Sequence, residues 1–184
     1  MFYTEERLNN WIERIKREEI DLKESLEIFD KMLEDFIIAG IKLLESIKSK
    51  EITKKEAIEQ IKRINEIINR RFNLEDDVKN ELFEITKDSM RVVLKGLEFA
   101  VNGKISKKSF EKLFQEAVKM EKNSDVNGAF ENLAKMAAKV LKGEKLPENF
   151  EIPDEDLLVI GWFDAVDAIN TMQILKEIDR GDED

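Results

Sequence analysis

Apolar residues recur at heptad spacing near the N-terminus, and no glycine or proline interrupts residues 5–39. One series consists of Leu8, Ile15, Leu22, Phe29, Phe36 and Leu43, and its companion consists of Ile12, Leu26, Leu33, Gly40 and Ile47. This spacing places both series on one side of a helix, which other parts of the protein must then cover. The pattern therefore predicts a helical N-terminal region that packs against further helices.

The pattern leaves open whether residues 4–48 form one helix or two. A single helix would be about 65 Å long at about 1.5 Å per residue, which is long for a compact domain. The companion series is broken at Glu19, and Asp21 and Glu24 have the spacing of a capping box, so a break near Glu19 to Asp21 is equally compatible.

Helix-capping signals and a low content of turn residues extend this prediction to the whole chain. Thr4 precedes two glutamates, Thr53 and Glu56 form a capping-box pattern, and Ser106 is expected to cap a later helix. Only 7 glycines and 2 prolines occur in 184 residues. We predict an all-α bundle of six to eight helices with a buried C-terminal helix, in one domain over residues 1–178. An acidic tail, residues 179–184, is expected to be frayed or disordered.

The C-terminal helix, predicted from residue 154 to 178, is apolar on nearly every side, which is typical of a central helix. Asp164, Asp167 and Thr171 fall on one strip of it, and Gly161 beside that strip would admit another backbone. A buried carboxylate requires a partner. Three interpretations are open: pairing with a basic group or a helix N-terminus, a metal or cation site completed by acids of another helix, or partial exposure at a groove.

The composition excludes several functional classes. The chain contains no cysteine and no histidine, which removes disulfides, thiolate chemistry and histidine-dependent catalytic or zinc sites. The net charge of −10 opposes a broad nucleic-acid surface and docking on anionic lipid. The local basic patch of Lys104, Lys107, Lys108 and Lys112 is interpreted as a solvated helix start. We expect a cytoplasmic protein that binds neither nucleic acid nor membrane. Its richness in Lys, Glu and Ile is typical of heat-adapted microbes.

These observations favour a non-catalytic helical interaction or assembly protein without a cofactor, whose partner is another protein or a second copy in a homodimer. The expected surfaces are an apolar groove or the N-terminal heptad face, and Phe2, Tyr3 and Trp11 are candidate partner contacts. The alternative is an all-α hydrolase of small phosphate compounds that depends on Mg²⁺ or Mn²⁺, with Asp164 and Asp167 as metal ligands.

Two blocks of the sequence resemble a known family. They are FYTEERLNNWIERI at residues 2–15 and DLLVIGWFDAVDAINTMQIL at residues 156–175. Both are similar to an archaeal family of uncharacterised all-helical proteins, designated domain of unknown function 2150. The resemblance implies an archaeal, cytoplasmic, helical protein, and it implies no activity, ligand or catalytic residue.

Overall fold

A computed structural model describes residues 2–19 and 26–181 of the chain. Within these ranges it contains seven helices and no strand, which confirms the predicted all-α bundle of six to eight helices. The helices are α1 (Glu5–Arg17), α2 (Glu27–Lys48), α3 (Lys54–Ile68), α4 (Asp77–Val101), α5 (Phe110–Lys122), α6 (Val126–Leu141) and α7 (Leu158–Gly181).

The chain divides into two compact units, Met1–Arg91 and Val92–Asp184, and the boundary falls within α4. The single domain predicted over residues 1–178 stays a prediction. The last helix begins and ends later than expected. It was predicted from residue 154 to 178, and α7 spans Leu158–Gly181. The predicted acidic tail is therefore helical over residues 179–181, and residues 182–184 lie outside the described ranges.

The heptad face of the N-terminal region forms the core of the first unit. The described members of the first series, Leu8, Ile15, Phe29, Phe36 and Leu43, are all buried, whereas Leu26 of the companion series is 45% exposed. The region forms two helices, because α1 ends at Arg17, where Glu18 is extended, and α2 begins only at Glu27. The continuous helix is thus wrong, while Leu22 and the Asp21–Glu24 pair lie outside the described residues. A partner role for this face stays a prediction, and its buried members have no exposed surface for one.

Helix starts follow the capping residues in most cases. The Thr4 hydroxyl accepts from Arg7 N at 3.1 Å, and Thr53 and Glu56 form the predicted capping box. The expected cap at Ser106 is wrong. Ser109 caps α5 instead, and the Ser106 hydroxyl accepts from Lys108 N in the preceding turn.

The part of α4 in the first unit does not bury all of its aliphatic residues. Val78 and Ile85 are both exposed. The buried positions are Phe83, Thr86, Lys87, Ser89 and Met90. The ammonium of Lys87 lies 5.4 Å from the centre of the Phe83 ring, so an aromatic face offsets part of the cost of burying this cation.

The innermost helix of the second unit is α6. Every residue of α6 from Asn132 to Leu141 is buried except Lys135. Its alanines allow close packing: a Cβ added at Gly96 of α4 would lie 2.7 Å from the Cβ of Ala137. The close backbone approach expected at Gly161 is wrong, since a Cβ there would meet nothing within 4 Å.

Candidate functional site

The C-terminal helix α7 is partly buried and packs against α5 and α6. Its inner side consists of Val159, Trp162, Phe163, Ala165, Val166 and Ile169. The Phe163 ring stacks on Phe150 with centroids 4.8 Å apart, and the Trp162 ring meets Phe130 edge-on at 5.4 Å. One side of α7 is therefore held by specific aromatic contacts.

A carboxylate from α5 fixes the first turn of α7. Glu121 accepts hydrogen bonds from Leu158 N at 2.7 Å and from Val159 N at 3.0 Å. These two amides have no acceptor within their own helix, and a negative charge is favourable at a helix N-terminus. An acid does satisfy a helix N-terminus here, and this acid is Glu121.

Removal of this cap should loosen the start of α7. We expect Glu121→Ala to destabilise the protein by about 1 kcal/mol, the usual effect of losing a side-chain cap. Hydrogen exchange at the amides of Leu158 and Val159 should accelerate. Glu131→Ala, at an exposed position on α6, is the control and should leave exchange at these amides unchanged. Unchanged exchange in Glu121→Ala would show that the carboxylate does not cap α7.

The outer side of α7 carries an exposed row of side chains that we name the α7 strip. It consists of Asp164, Asp167, Thr171, Ile174, Leu175 and Ile178. The exposed fractions of Ile174, Leu175 and Ile178 are 37%, 48% and 55%. Both aspartates are exposed, so neither is the buried carboxylate that the apolar surroundings in the sequence suggested. The sequence of α7 is apolar on nearly every side because Ile174, Leu175 and Ile178, near its C-terminus, are aliphatic residues exposed to solvent.

The predicted metal ligands Asp164 and Asp167 lie on the α7 strip. Among residues 2–19 and 26–181, no three or more acidic side chains form a group that could hold a metal ion. The role of these two aspartates as ligands of Mg²⁺ or Mn²⁺ stays a prediction.

The residues near the N-terminus that were predicted to contact a partner attach α1 and the residues before it to the rest of the first unit. Tyr3 is fully buried, and its ring meets Phe36 edge-on at 4.9 Å. Burial raises the pKa of Tyr3 above its ordinary value, and the nearby Asp35 adds to this effect. Trp11 is half-buried and donates to Asp35 at 2.9 Å, while the half-buried Phe2 donates its amide to Gln60. A partner role for Phe2, Tyr3 and Trp11 stays a prediction, and Tyr3 has no exposed surface for one.

Asp35 on α2 is the centre of this N-terminal contact. Arg7 donates to both carboxylate oxygens, at 2.9 and 2.5 Å, and Trp11 adds a third hydrogen bond. Burial acts to raise the pKa of Asp35, but the hydrogen bonds from Arg7 and Trp11 outweigh it and hold the pKa below its usual value. The ionised form of Asp35 therefore stabilises the first unit.

The depressed pKa of Asp35 predicts a pH dependence of stability. The unfolded chain binds this proton more readily than the folded protein does. The contribution of Asp35 is thus complete above the ordinary aspartate pKa of about 3.9, and it is lost as the pH falls through the lower folded value. We expect urea denaturation to show wild type more stable than Asp35→Asn at pH 6, with the difference shrinking at pH 3. A difference independent of pH would contradict the ionic role.

By length and composition, α7 is also long and apolar enough to cross a membrane. Within Leu158–Arg180, a window of 18 residues has a mean hydropathy of 1.2, and 33% of that window is buried within the protein. It is the only such helix among the described residues.

Comparison with known proteins finds one family. A family model described as an uncharacterized protein conserved in archaea, DUF2150, matches residues 1–182. No significant match occurs among curated proteins or among solved structures. The matched range includes both sequence blocks on which the resemblance rests.

Proposed function

The chain belongs to the DUF2150 family of proteins conserved in archaea, and we propose that it is a non-catalytic assembly protein that associates with a second copy of itself through the α7 strip. One observation carries the proposal: Ile174, Leu175 and Ile178 are exposed on the outer side of a helix whose inner side is packed. Covering apolar surface gains about 25 cal/mol per Å², so a second molecule that covers these side chains is favoured.

The spacing of the strip suits contact with another helix. Thr171, Ile174, Leu175 and Ile178 are related by steps of three and four residues, which place them in one row along α7. Two copies of such a row can pack across a two-fold axis, the commonest symmetry of soluble oligomers. In such a dimer the α7 strip of one copy contacts the α7 strip of the other, so no different surface is required for the interface.

The two aspartates on the strip are compatible with such a dimer. Asp164 and Asp167 precede Ile174 by ten and seven residues, so they lie about 10–15 Å from it along the helix. At physiological salt the screening length is about 8 Å, and repulsion between exposed carboxylates at this distance is weak. Helices that cross at the aliphatic end leave both acids in solvent.

The size of the strip sets the expected affinity. The aliphatic end of the strip, residues 171–178, is about 12 Å long at about 1.5 Å per residue, and a face about 10 Å wide would offer about 120 Å². A standard stable interface buries about 800 Å² on each partner. The strip therefore supports a weak dimer that forms and dissociates with concentration, with a Kd in the micromolar range or above.

Protein is a better occupant of the strip than lipid. In a bilayer, each carboxylate at the middle of a spanning helix costs about 2.5–3.5 kcal/mol. Asp164 and Asp167 lie within the segment that is long enough to span, and both face outward. This cost supports a cytoplasmic protein whose α7 strip meets another protein surface.

Cysteine cross-linking tests the proposal at a single position. The chain has no cysteine, so an introduced thiol is the only one that can react. We expect Thr171→Cys, on the strip, to form a covalent dimer on mild oxidation. Glu131→Cys, on the exposed side of α6, should form it at least about tenfold more slowly, as expected for random collisions. Equal rates for the two variants would reject the α7 interface.

A further inference from the structure

The second unit contains an open cavity of about 380 Å³ at the C-terminal end of α4. Its lining consists of Phe99, Gly103, Lys104, Ile105, Ser106 and Lys135. The volume falls at the lower end of the range of pockets that hold small ligands, about 300–1,000 Å³. The cavity is separate from the α7 strip, and its occupation does not depend on self-association.

Local backbone geometry explains why the cavity exists. Gly96 lets α4 approach Ala137 of α6, and Phe99 lies one turn further along α4. The chain then turns at Gly103, whose φ of +70° is the left-handed conformation that favours glycine. A Cβ at Gly103 would meet nothing within 4 Å, so the turn leaves open space beside the helix end.

The cavity presents two cations that no protein group neutralises. Within the described ranges, neither the side chain of Lys104 nor that of Lys135 takes part in a salt bridge or a hydrogen bond, while the Lys104 amide donates to the Phe99 carbonyl at 2.9 Å. Lys139 differs, since its buried ammonium donates to the Ser106 carbonyl at 3.1 Å and pairs with Glu144 at 3.0 Å. Lys139 thus holds the loop in place, while Lys104 and Lys135 remain available to an anion.

The loop that contributes Lys104 to the cavity is locally basic in sequence, although its Lys108 pairs with Glu116 at 2.7 Å. Residues 102–109 contain three lysines and no acid, although the whole protein carries a net charge of −10. Phe99 and Ile105, both half-buried, supply an apolar surface beside these cations. The cavity therefore combines a cationic part with an apolar part.

We propose that this cavity binds a small phosphate ester with an apolar organic group. Lys104 and Lys135 hold the phosphoryl group, which carries a charge of about −1.5 to −2 at neutral pH and so suits two ammonium groups. The organic group rests on Phe99 and Ile105. A nucleic-acid chain is a poorer occupant, because its binding rests on many neutralised phosphates and this protein is acidic overall.

Phenyl phosphate is a direct probe of the cavity. We expect its titration into the ¹⁵N-labelled protein to shift the amide signals of Ile105 and Ser106 in a saturable way. Inorganic phosphate, which lacks the ring, should bind more weakly, and phenol, which lacks the charge, should shift these signals least. Absence of saturable shifts with phenyl phosphate, or equal shifts with phenol, would overturn the proposal.

Matched double variants separate this site from general charge attraction. Lys104→Ala with Lys135→Ala should weaken phenyl phosphate binding at least tenfold. Lys119→Ala with Lys142→Ala removes the same charge from exposed positions outside the cavity and should leave binding within twofold. An equal loss in both pairs, or unchanged binding in the first pair, would contradict the assignment.

Discussion

Replacing Gly96 with leucine should destabilise the second unit by about 3 kcal/mol, the upper part of the usual range for overpacking. A Cβ alone at this position would lie 2.7 Å from the Cβ of Ala137 and 3.2 Å from the amide nitrogen of Ala138. Neither neighbour can rotate away, because one is a methyl group and the other is backbone. The helices α4 and α6 would have to separate. Urea denaturation followed by circular dichroism measures the loss.

Gly161 offers a matched control, because it is also a glycine within a helix. A Cβ at Gly161 would meet nothing within 4 Å. Gly161→Ala should therefore stabilise the protein by about 0.5–1 kcal/mol, the gain in helix propensity. If Gly96→Leu were as stable as wild type, the close contact between α4 and α6 would be refuted. A large loss in Gly161→Ala would refute the exposed outer side of α7.

The second large effect concerns assembly. Ile174→Asp combined with Ile178→Asp should weaken self-association at least a hundredfold, because four desolvated aspartates would meet in the symmetric dimer at a cost of about 3 kcal/mol or more. Both side chains are more than a third exposed, so the stability of the monomer should fall by about 1 kcal/mol per site, part of which comes from placing an acid near the C-terminus of α7. Light scattering on a size-exclusion column measures the first effect, and urea denaturation measures the second.

A double variant outside α7 controls for the added charge. Val126→Asp with Ile152→Asp alters two exposed aliphatic residues and adds the same two charges. Val126 is the first residue of α6, where an acid is favourable. This control should associate as wild type does. Equal dissociation of both double variants would show that net charge, and not the α7 strip, governs assembly.

The helices were predictable because their signals are local. Thr4 and the Thr53–Glu56 pair cap their helices as expected, and the described members of the first heptad series are buried. The sequence did not show which helix lies innermost. Periodicity indicates which side of a helix is apolar, but it does not indicate how deeply the helix is buried. Alanines contribute little to a hydrophobic sequence pattern. The alanines of α6 nevertheless allow close packing and make it the most buried helix of the second unit.

The candidate site was predictable only in part. The strip of Asp164, Asp167 and Thr171 exists on α7, but its side chains are exposed where burial was expected. The contact that holds α7 comes from Glu121, which is distant in sequence and on another helix. Lys87 is buried over aromatic rings, and no local pattern distinguishes it from the many solvated lysines.

Sedimentation equilibrium of the unmodified chain, from about 1 μM to about 1 mM, tests self-association most directly, since this range brackets a micromolar Kd. A weak dimer predicts an average mass that rises from 21.5 kDa at the lowest concentration towards twice that value at the highest. A mass of 21.5 kDa at every concentration would contradict the proposed function.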